Sequence, residues 1–137
     1  IYFCYGHRLM DYDGACRYLH GHNGKVEVEL ARESLDRRGM VVDFAEIRRV
    51  IKDWIDQTLD HTMLVRNDDP LIPTLKAQNE RFYAMAENPT AESIAKLIYE
   101  HARSEGFPVS RVTLWETESS FATYSSVIPA QAGIQKS

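Results

Sequence analysis

A chain of 137 residues with 44% apolar side chains is sized for a single domain around one shared core. Its formal net charge of −4, with both signs interspersed, excludes the basic stripe that neutralises a nucleic-acid backbone, and no apolar run approaches the roughly 18 to 20 residues that span a bilayer. No charged-then-apolar export signal opens the sequence, so a soluble cytoplasmic protein is expected, with Cys4 and Cys16 as free thiols.

The numbering opens at Ile1 inside a strand-like pattern, so further residues are expected upstream. Over 1–9, Phe3, Tyr5, His7 and Leu9 share one alternation, which predicts a strand. Residues 10–19, holding Asp11, Asp13 and Gly14, read as a loop. From Gly21 to Arg32 the alternation is clean: Val26, Val28 and Leu30 face one way and Lys25, Glu27 and Glu29 the other.

Asp43 opens a predicted helix, with Glu46 placed for a capping-box-like pair. Phe44, Ile47, Val50, Ile51, Trp54 and Ile55 recur at helical spacing as far as about Leu59. Residues 66–88 contain Pro70, Pro73, a short helical-looking stretch and few periodic apolar positions, and read as a long excursion. Thr90 caps a second helix whose Ile94, Leu97, Ile98 and Ala102 form its apolar stripe, ending near Gly106. Val112, Leu114 and Glu116 then share one face of a strand over 109–118, and 121–128 supplies its partner. Two strands, two helices and two strands make an α+β order. A domain over 1–125 is expected, followed by a loosely ordered tail at 126–137.

His20 and His22 lie two apart at the start of a strand, so both imidazoles project from one face about 7 Å apart at the backbone and can share a metal. Without a bulge at Gly24 they share the covered face with Val26 and Val28, and His7 is the natural third ligand. Three neutral imidazoles leave one position of a tetrahedral zinc open, as in catalytic sites. The alternative is that His20 and His22 are turn residues and His7 a core histidine satisfied by a backbone carbonyl; spacing alone does not choose.

Cys16, four residues before His20, is either an inert loop cysteine or a thiol that a nearby cation makes acidic enough to accept a proton near neutral pH. Asp60 beside His61 is either ordinary helix-end polarity or a carboxylate that fixes an imidazole tautomer. Glu116 points to the covered face by its alternation, where a carboxylate needs a cationic or donating partner. No arginine or lysine shares that alternation. A ligand with adjacent N–H donors is one candidate, and a bulge turning Glu116 outward is the other.

These residues occur within longer motifs: Phe3-Cys4-Tyr5-Gly6-His7-Arg8-Leu9, Cys16-Arg17-Tyr18-Leu19-His20-Gly21-His22, Val42-Asp43-Phe44, Leu59-Asp60-His61, Asn88-Pro89-Thr90-Ala91-Glu92 and Trp115-Glu116-Thr117. In this order they resemble the 6-pyruvoyl-tetrahydropterin synthases and their bacterial relatives, the 6-carboxy-tetrahydropterin synthases, over most of the chain. The resemblance implies a tunnelling fold (T-fold): a four-stranded antiparallel sheet with two helices on one face, ordered ββααββ, whose subunits join into an oligomeric barrel, usually a hexamer, with active sites between subunits. It implies zinc held by His7, His20 and His22, Cys16 as catalytic base and Asp60 with His61 as a second proton-transfer pair. It further implies that Glu116 grips the amino-pyrimidine edge of a pterin, assisted by the Thr90 segment. The family usually has two alanines where this chain has Tyr5 and Gly6, and often a histidine where it has Thr62.

The implied activity is zinc-dependent conversion of 7,8-dihydroneopterin triphosphate, with loss of triphosphate, to 6-carboxy-5,6,7,8-tetrahydropterin and acetaldehyde, a step that feeds queuosine-type deazapurine synthesis. The rivals are a pyruvoyl synthase that stops before carbon–carbon cleavage, an aldolase-like cleavage of dihydroneopterin, and a pterin-binding protein without turnover.

Overall fold

The computed structural model describes residues 1–126 and 131–134. In chain order these form β1 (Tyr2–His7), a 3-10 turn (Ala15–Arg17), β2 (His20–Leu30), α1 (Phe44–Ile47), a π-helical turn (Arg48–Lys52), α2 (Asp53–Thr58), β3 (Thr62–Arg66), α3 (Ile72–Ala77), β4 (Phe82–Met85), α4 (Ala91–Ser104), β5 (Val109–Trp115), β6 (Ser120–Tyr124) and β7 (Gln131–Ile134). The class is α+β. The expected four-stranded antiparallel sheet is corrected to a seven-stranded mixed sheet in the order β4-β3-β1-β2-β5-β6-β7.

The four expected strands do form an antiparallel unit, β1-β2-β5-β6. The additions lie at its two edges. β3 runs parallel to β1, and β4 parallel to β3, with α3 providing the crossover that parallel pairing needs. The order ββααββ therefore misses three strands and a short helix: β3, α3 and β4 between residues 62 and 85, and β7 near the C-terminal end. Leu64 and Val65 are adjacent and both fully buried, so β3 carries no period of two, and β4 is only four residues long. At the other edge β7 pairs antiparallel with β6. Of the segment expected as a loose tail, 127–130 and 135–137 lie outside the described residues, while 131–134 are this edge strand.

The expected first helix is one continuous helical segment interrupted by the π turn, a local widening of the ladder. Asp43 caps it by accepting from the Ala45 amide at 2.9 Å, but Glu46 reaches Arg49 instead of closing a capping box. Phe44, expected on the apolar stripe, is 83% exposed. Thr90 Oγ1 accepts from the Ser93 amide to cap α4, and Gly106, at φ +90°, follows its end in a conformation that suits glycine.

Ile51, Ile55 and Leu59 from the first helical segment and Ile94, Ala95, Ile98 and Ala102 from α4 meet Phe3, Tyr5, Val26, Val112 and Leu114 in a single core. Both helical segments thus cover one sheet face. Each fully buried isoleucine contributes about 1.5 to 3 kcal/mol. Inward positions of β1 and β2 continue from this core into polar residues at one end of the strands: Phe3 and Tyr5 lead to His7, and Val26 leads back through Gly24 to His22 and His20. Among the described residues no helix is long and apolar enough to cross a membrane.

Candidate active site

β1 and β2 pair in unbroken register from Tyr2↔Lys25 to His7↔His20, so no bulge occurs at Gly24. His7, His20 and His22 consequently stand on one side of two neighbouring strands, and a ligand nitrogen from each lies within 4.8 Å of the other two. The rings meet at centroid distances of 4.4 Å (His7 to His20), 5.1 Å (His7 to His22) and 5.2 Å (His20 to His22).

Backbone carbonyls orient two of these rings. His7 Nδ1 donates to the Pro89 carbonyl at 2.7 Å, and His20 Nδ1 to the Tyr18 carbonyl at 2.7 Å. With the proton on Nδ1, each Nε2 carries a lone pair, the arrangement found behind most metal-bound histidines. Burial pushes His7 down to about 4, against the opposing pull of the Pro89 carbonyl, and also lowers His22, where the Glu116 charge and backbone pull the other way. His7 is therefore neutral at neutral pH.

Glu116 lies immediately beyond β5, on the same side as Val112 and Leu114, and its Oε2 is 2.8 Å from His22 Nε2 and 3.4 Å from His7 Nε2. Neither nitrogen makes a hydrogen bond, although both are buried. A lone pair of neutral His7 thus faces a carboxylate oxygen across 3.4 Å, two acceptors that repel unless positive charge sits among them. One cation held by His7, His20 and His22 would satisfy the orphaned nitrogens and offset the carboxylate. The donor set, three imidazoles with a further position open, fits zinc.

Tyr5 is 1% exposed between Phe3 and His7, and its hydroxyl donates to Glu116 Oε2 at 3.5 Å. Burial, reinforced by the Glu116 charge, raises its pKa, so the phenol keeps its proton. On its outer side Glu116 borders a cleft of about 830 Å³ lined also by Tyr2, Asn23, Lys25, Trp115 and Ser119.

Asp60 and His61 follow α2. Asp60 Oδ1 accepts from the Cys4 amide at 2.8 Å, and its Oδ2 lies 2.7 Å from His61 Nδ1. Burial opposes ionisation of Asp60, but the Cys4 amide and His61 together hold its carboxyl below the usual range. His61 adopts φ +53°, uncommon for a residue with a side chain, and its ring is 75% exposed. His61 and His20 line a common cavity of about 550 Å³ with Cys4, Leu19, Met63 and Arg81. Cys16 is not among the residues lining it. Its backbone carbonyl accepts from the Leu9 amide at 2.9 Å within the 3-10 turn, and its thiol is free and partly exposed.

The structure therefore brings His7, His20, His22 and Glu116 together, while Cys16 does not line the cavity that His61 shares with His20. Thr90 reaches the group only through its neighbour, the Pro89 carbonyl on His7. Two contributors escape sequence reasoning. The Pro89 carbonyl carries no side-chain signal, and the Tyr5 hydroxyl shares a visible alternation with His7 but finds its partner only through the β2–β5 pairing.

The family model for 6-pyruvoyl tetrahydropterin synthase matches residues 1–126. The 6-carboxy-5,6,7,8-tetrahydropterin synthase of Rickettsia felis is 36% identical over 132 residues, covering 88% of this chain and 93% of that one. The Haemophilus influenzae protein of the same name is 30% identical over 130 residues, covering 89% and 92%. An uncharacterized protein from Wolinella succinogenes superimposes with a TM-score of 0.75 at 32% identity, covering 91% of this chain and 94% of the other. The 6-pyruvoyl tetrahydropterin synthase of Caenorhabditis elegans gives 0.67 at 25% identity, covering 92% and 91%. With a matching profile over nearly its whole length, and relatives matched across theirs, the chain belongs to the 6-pyruvoyl tetrahydropterin synthase family and is an enzyme of that family, a lyase.

Proposed function

We propose that the enzyme converts 7,8-dihydroneopterin triphosphate and water to 6-carboxy-5,6,7,8-tetrahydropterin, acetaldehyde and triphosphate, with zinc as its resident metal. The observation that carries this reading is the convergence of three imidazoles, two of them with buried unpartnered nitrogens, on a partly exposed carboxylate that needs a cation beside it. The carboxy product is chosen over the pyruvoyl one because curated relatives at 30 to 36% identity bear the carboxy name.

His7, His20 and His22 would hold the metal, which supplies Lewis-acid polarisation of the substrate's side-chain hydroxyls. The Cys16 thiolate takes a proton from a side-chain carbon. His61, oriented and charge-balanced by Asp60, carries a second proton, and triphosphate leaves from the terminal carbon. Water then completes the carbon–carbon cleavage that frees acetaldehyde. Glu116 anchors the other end of the substrate by accepting the adjacent N–H groups of the amino-pyrimidine edge, with the Thr90 segment behind it.

Cys16 does not line the cavity that His61 shares with His20, and the reading includes a homohexamer whose active sites draw Cys16 and His61 from different subunits. It also includes a cytoplasmic enzyme supplying queuosine-type deazapurine synthesis. The test is mass spectrometry of the products formed from 7,8-dihydroneopterin triphosphate by zinc-loaded protein. 6-Carboxytetrahydropterin with stoichiometric acetaldehyde supports the reading. Accumulation of the pyruvoyl compound would replace it with the pyruvoyl synthase, and bound pterin without triphosphate release with a binding protein.

A further inference from the structure

We propose that Tyr5 is a positioning residue for Glu116, its buried hydroxyl fixing the plane of the carboxylate that receives the pterin ring. The inference rests on the reading of Glu116 as the ring's anchor. Its own evidence is the way Tyr5 is packed. The Tyr5 ring stacks on Phe3 at 4.9 Å between centroids and meets His7 edge-on at 5.2 Å. Gly24 leaves the space it needs, because a Cβ there would stand 3.0 Å from Tyr5 Cε1 and 3.2 Å from Leu114 Cδ1. The ring therefore has little room to swing.

A phenylalanine would supply all of this packing. The hydroxyl is what phenylalanine would lack, and a buried hydroxyl is costly without a partner. Its partner is Glu116 Oε2, the same oxygen that approaches His7 and His22. Glu116 lies just past the end of β5, where the Glu116 amide is bound by the Ser120 carbonyl at 2.9 Å, so the backbone is pinned but the side chain has three torsions to fix. A donor on a rigid ring restrains those torsions. It takes one lone pair of Oε2, the oxygen that also faces His22 Nε2 at 2.8 Å, and leaves Oε1 for the ring's N–H groups. Ordering the acceptor before the ligand arrives lowers the entropy lost on binding.

The test is the affinity of the zinc-loaded protein for 7,8-dihydroneopterin, read by titration so that turnover is not needed. Tyr5→Phe is expected to weaken binding about 3- to 10-fold, below the full value of a hydrogen bond to a charged group because the contact is long, while the zinc content stays that of the parent. In a Glu116→Ala background the same change should have no further effect, since the group it positions is gone. Parent-like affinity of Tyr5→Phe, or a loss of equal size in the Glu116→Ala background, overturns the inference. If Glu116→Ala alone binds as tightly as the parent, the anchor reading itself falls and takes the Tyr5 role with it.

Discussion

His7 is held from behind by Pro89: the imidazole Nδ1 donates to the carbonyl at 2.7 Å, which fixes the tautomer and aims the Nε2 lone pair at His20, His22 and Glu116. Such a preset tautomer would spare a bound metal the cost of orienting the ring. Purified protein is expected to carry about one zinc per chain, as three histidines with an open fourth position require. Elemental analysis measures it, and His20→Ala or His22→Ala should each strip the metal. Full zinc retention by both variants would remove the assignment.

The Pro89 carbonyl is itself secured through its neighbour. Asn88 Oδ1 accepts from the Met10 amide at 2.8 Å and Asn88 Nδ2 donates to the Met10 carbonyl at 2.7 Å, tying the approach to α4 to the chain just past β1. Asn88→Ala removes both bonds and should cost about 1 to 3 kcal/mol of stability. Because the same segment carries the His7 acceptor, the variant should also release zinc to a chelator faster than the parent. Unchanged release alongside lowered stability would separate the clamp from the metal site.

The inner face of the site was legible because period-two alternation alone places His7 with Phe3 and Tyr5, and Glu116 with Val112 and Leu114. The two-residue spacing of His20 and His22 puts them on one side for the same reason. Residues 62–85 were not legible. Adjacent buried residues in β3 erase the alternation, and a parallel strand depends on a partner that only the fold supplies. Sequence could not reach the partners of Glu116 either, since both histidines and Tyr5 lie on other strands, brought near by register and not by local order.

Arg8 and Asp69 give a prediction about acid stability. Arg8 Nε donates to Asp69 Oδ2 at 2.9 Å and its Nη2 to Oδ1, while the Leu71 amide also donates to Oδ1, and Asp69 is 2% exposed. The Arg8 guanidinium holds the Asp69 carboxyl below its ordinary range, against the opposing effect of burial. A folded pKa below the unfolded one means the unfolded chain binds the proton more readily, so this stabilisation is present above about pH 4 and is lost as pH falls through the folded value. Asp69→Asn should therefore cost about 2 kcal/mol at pH 7, as expected for hydrogen bonds to a charged group whose partner is partly open to solvent, and progressively less below pH 4. Urea unfolding at pH 7 and pH 3.5 measures both arms. A cost that does not shrink in acid would show that the carboxylate charge is not what stabilises this corner.

The last prediction concerns the separation of Cys16 from His61. Cys16 sits in the 3-10 turn and does not line the cavity that His61 shares with His20. In the proposed hexamer each active site takes Cys16 from one subunit and His61 from its neighbour. Cys16→Ala and His61→Ala should then each abolish turnover while leaving zinc content and pterin affinity near those of the parent. Dissociated, mixed in equal amounts and reassembled, the two inactive variants should regain activity. A site is competent only when one contributor is native at position 16 and the other at position 61, each with a chance of one half, so about a quarter of the parent activity is expected from random closed assemblies. Activity against mixing ratio should peak at equal amounts, with sedimentation confirming the hexamer mass. A mixture as inactive as its components, in assemblies shown to contain both variants, would place Cys16 and His61 of one chain in the same site and remove the reason for active sites between subunits.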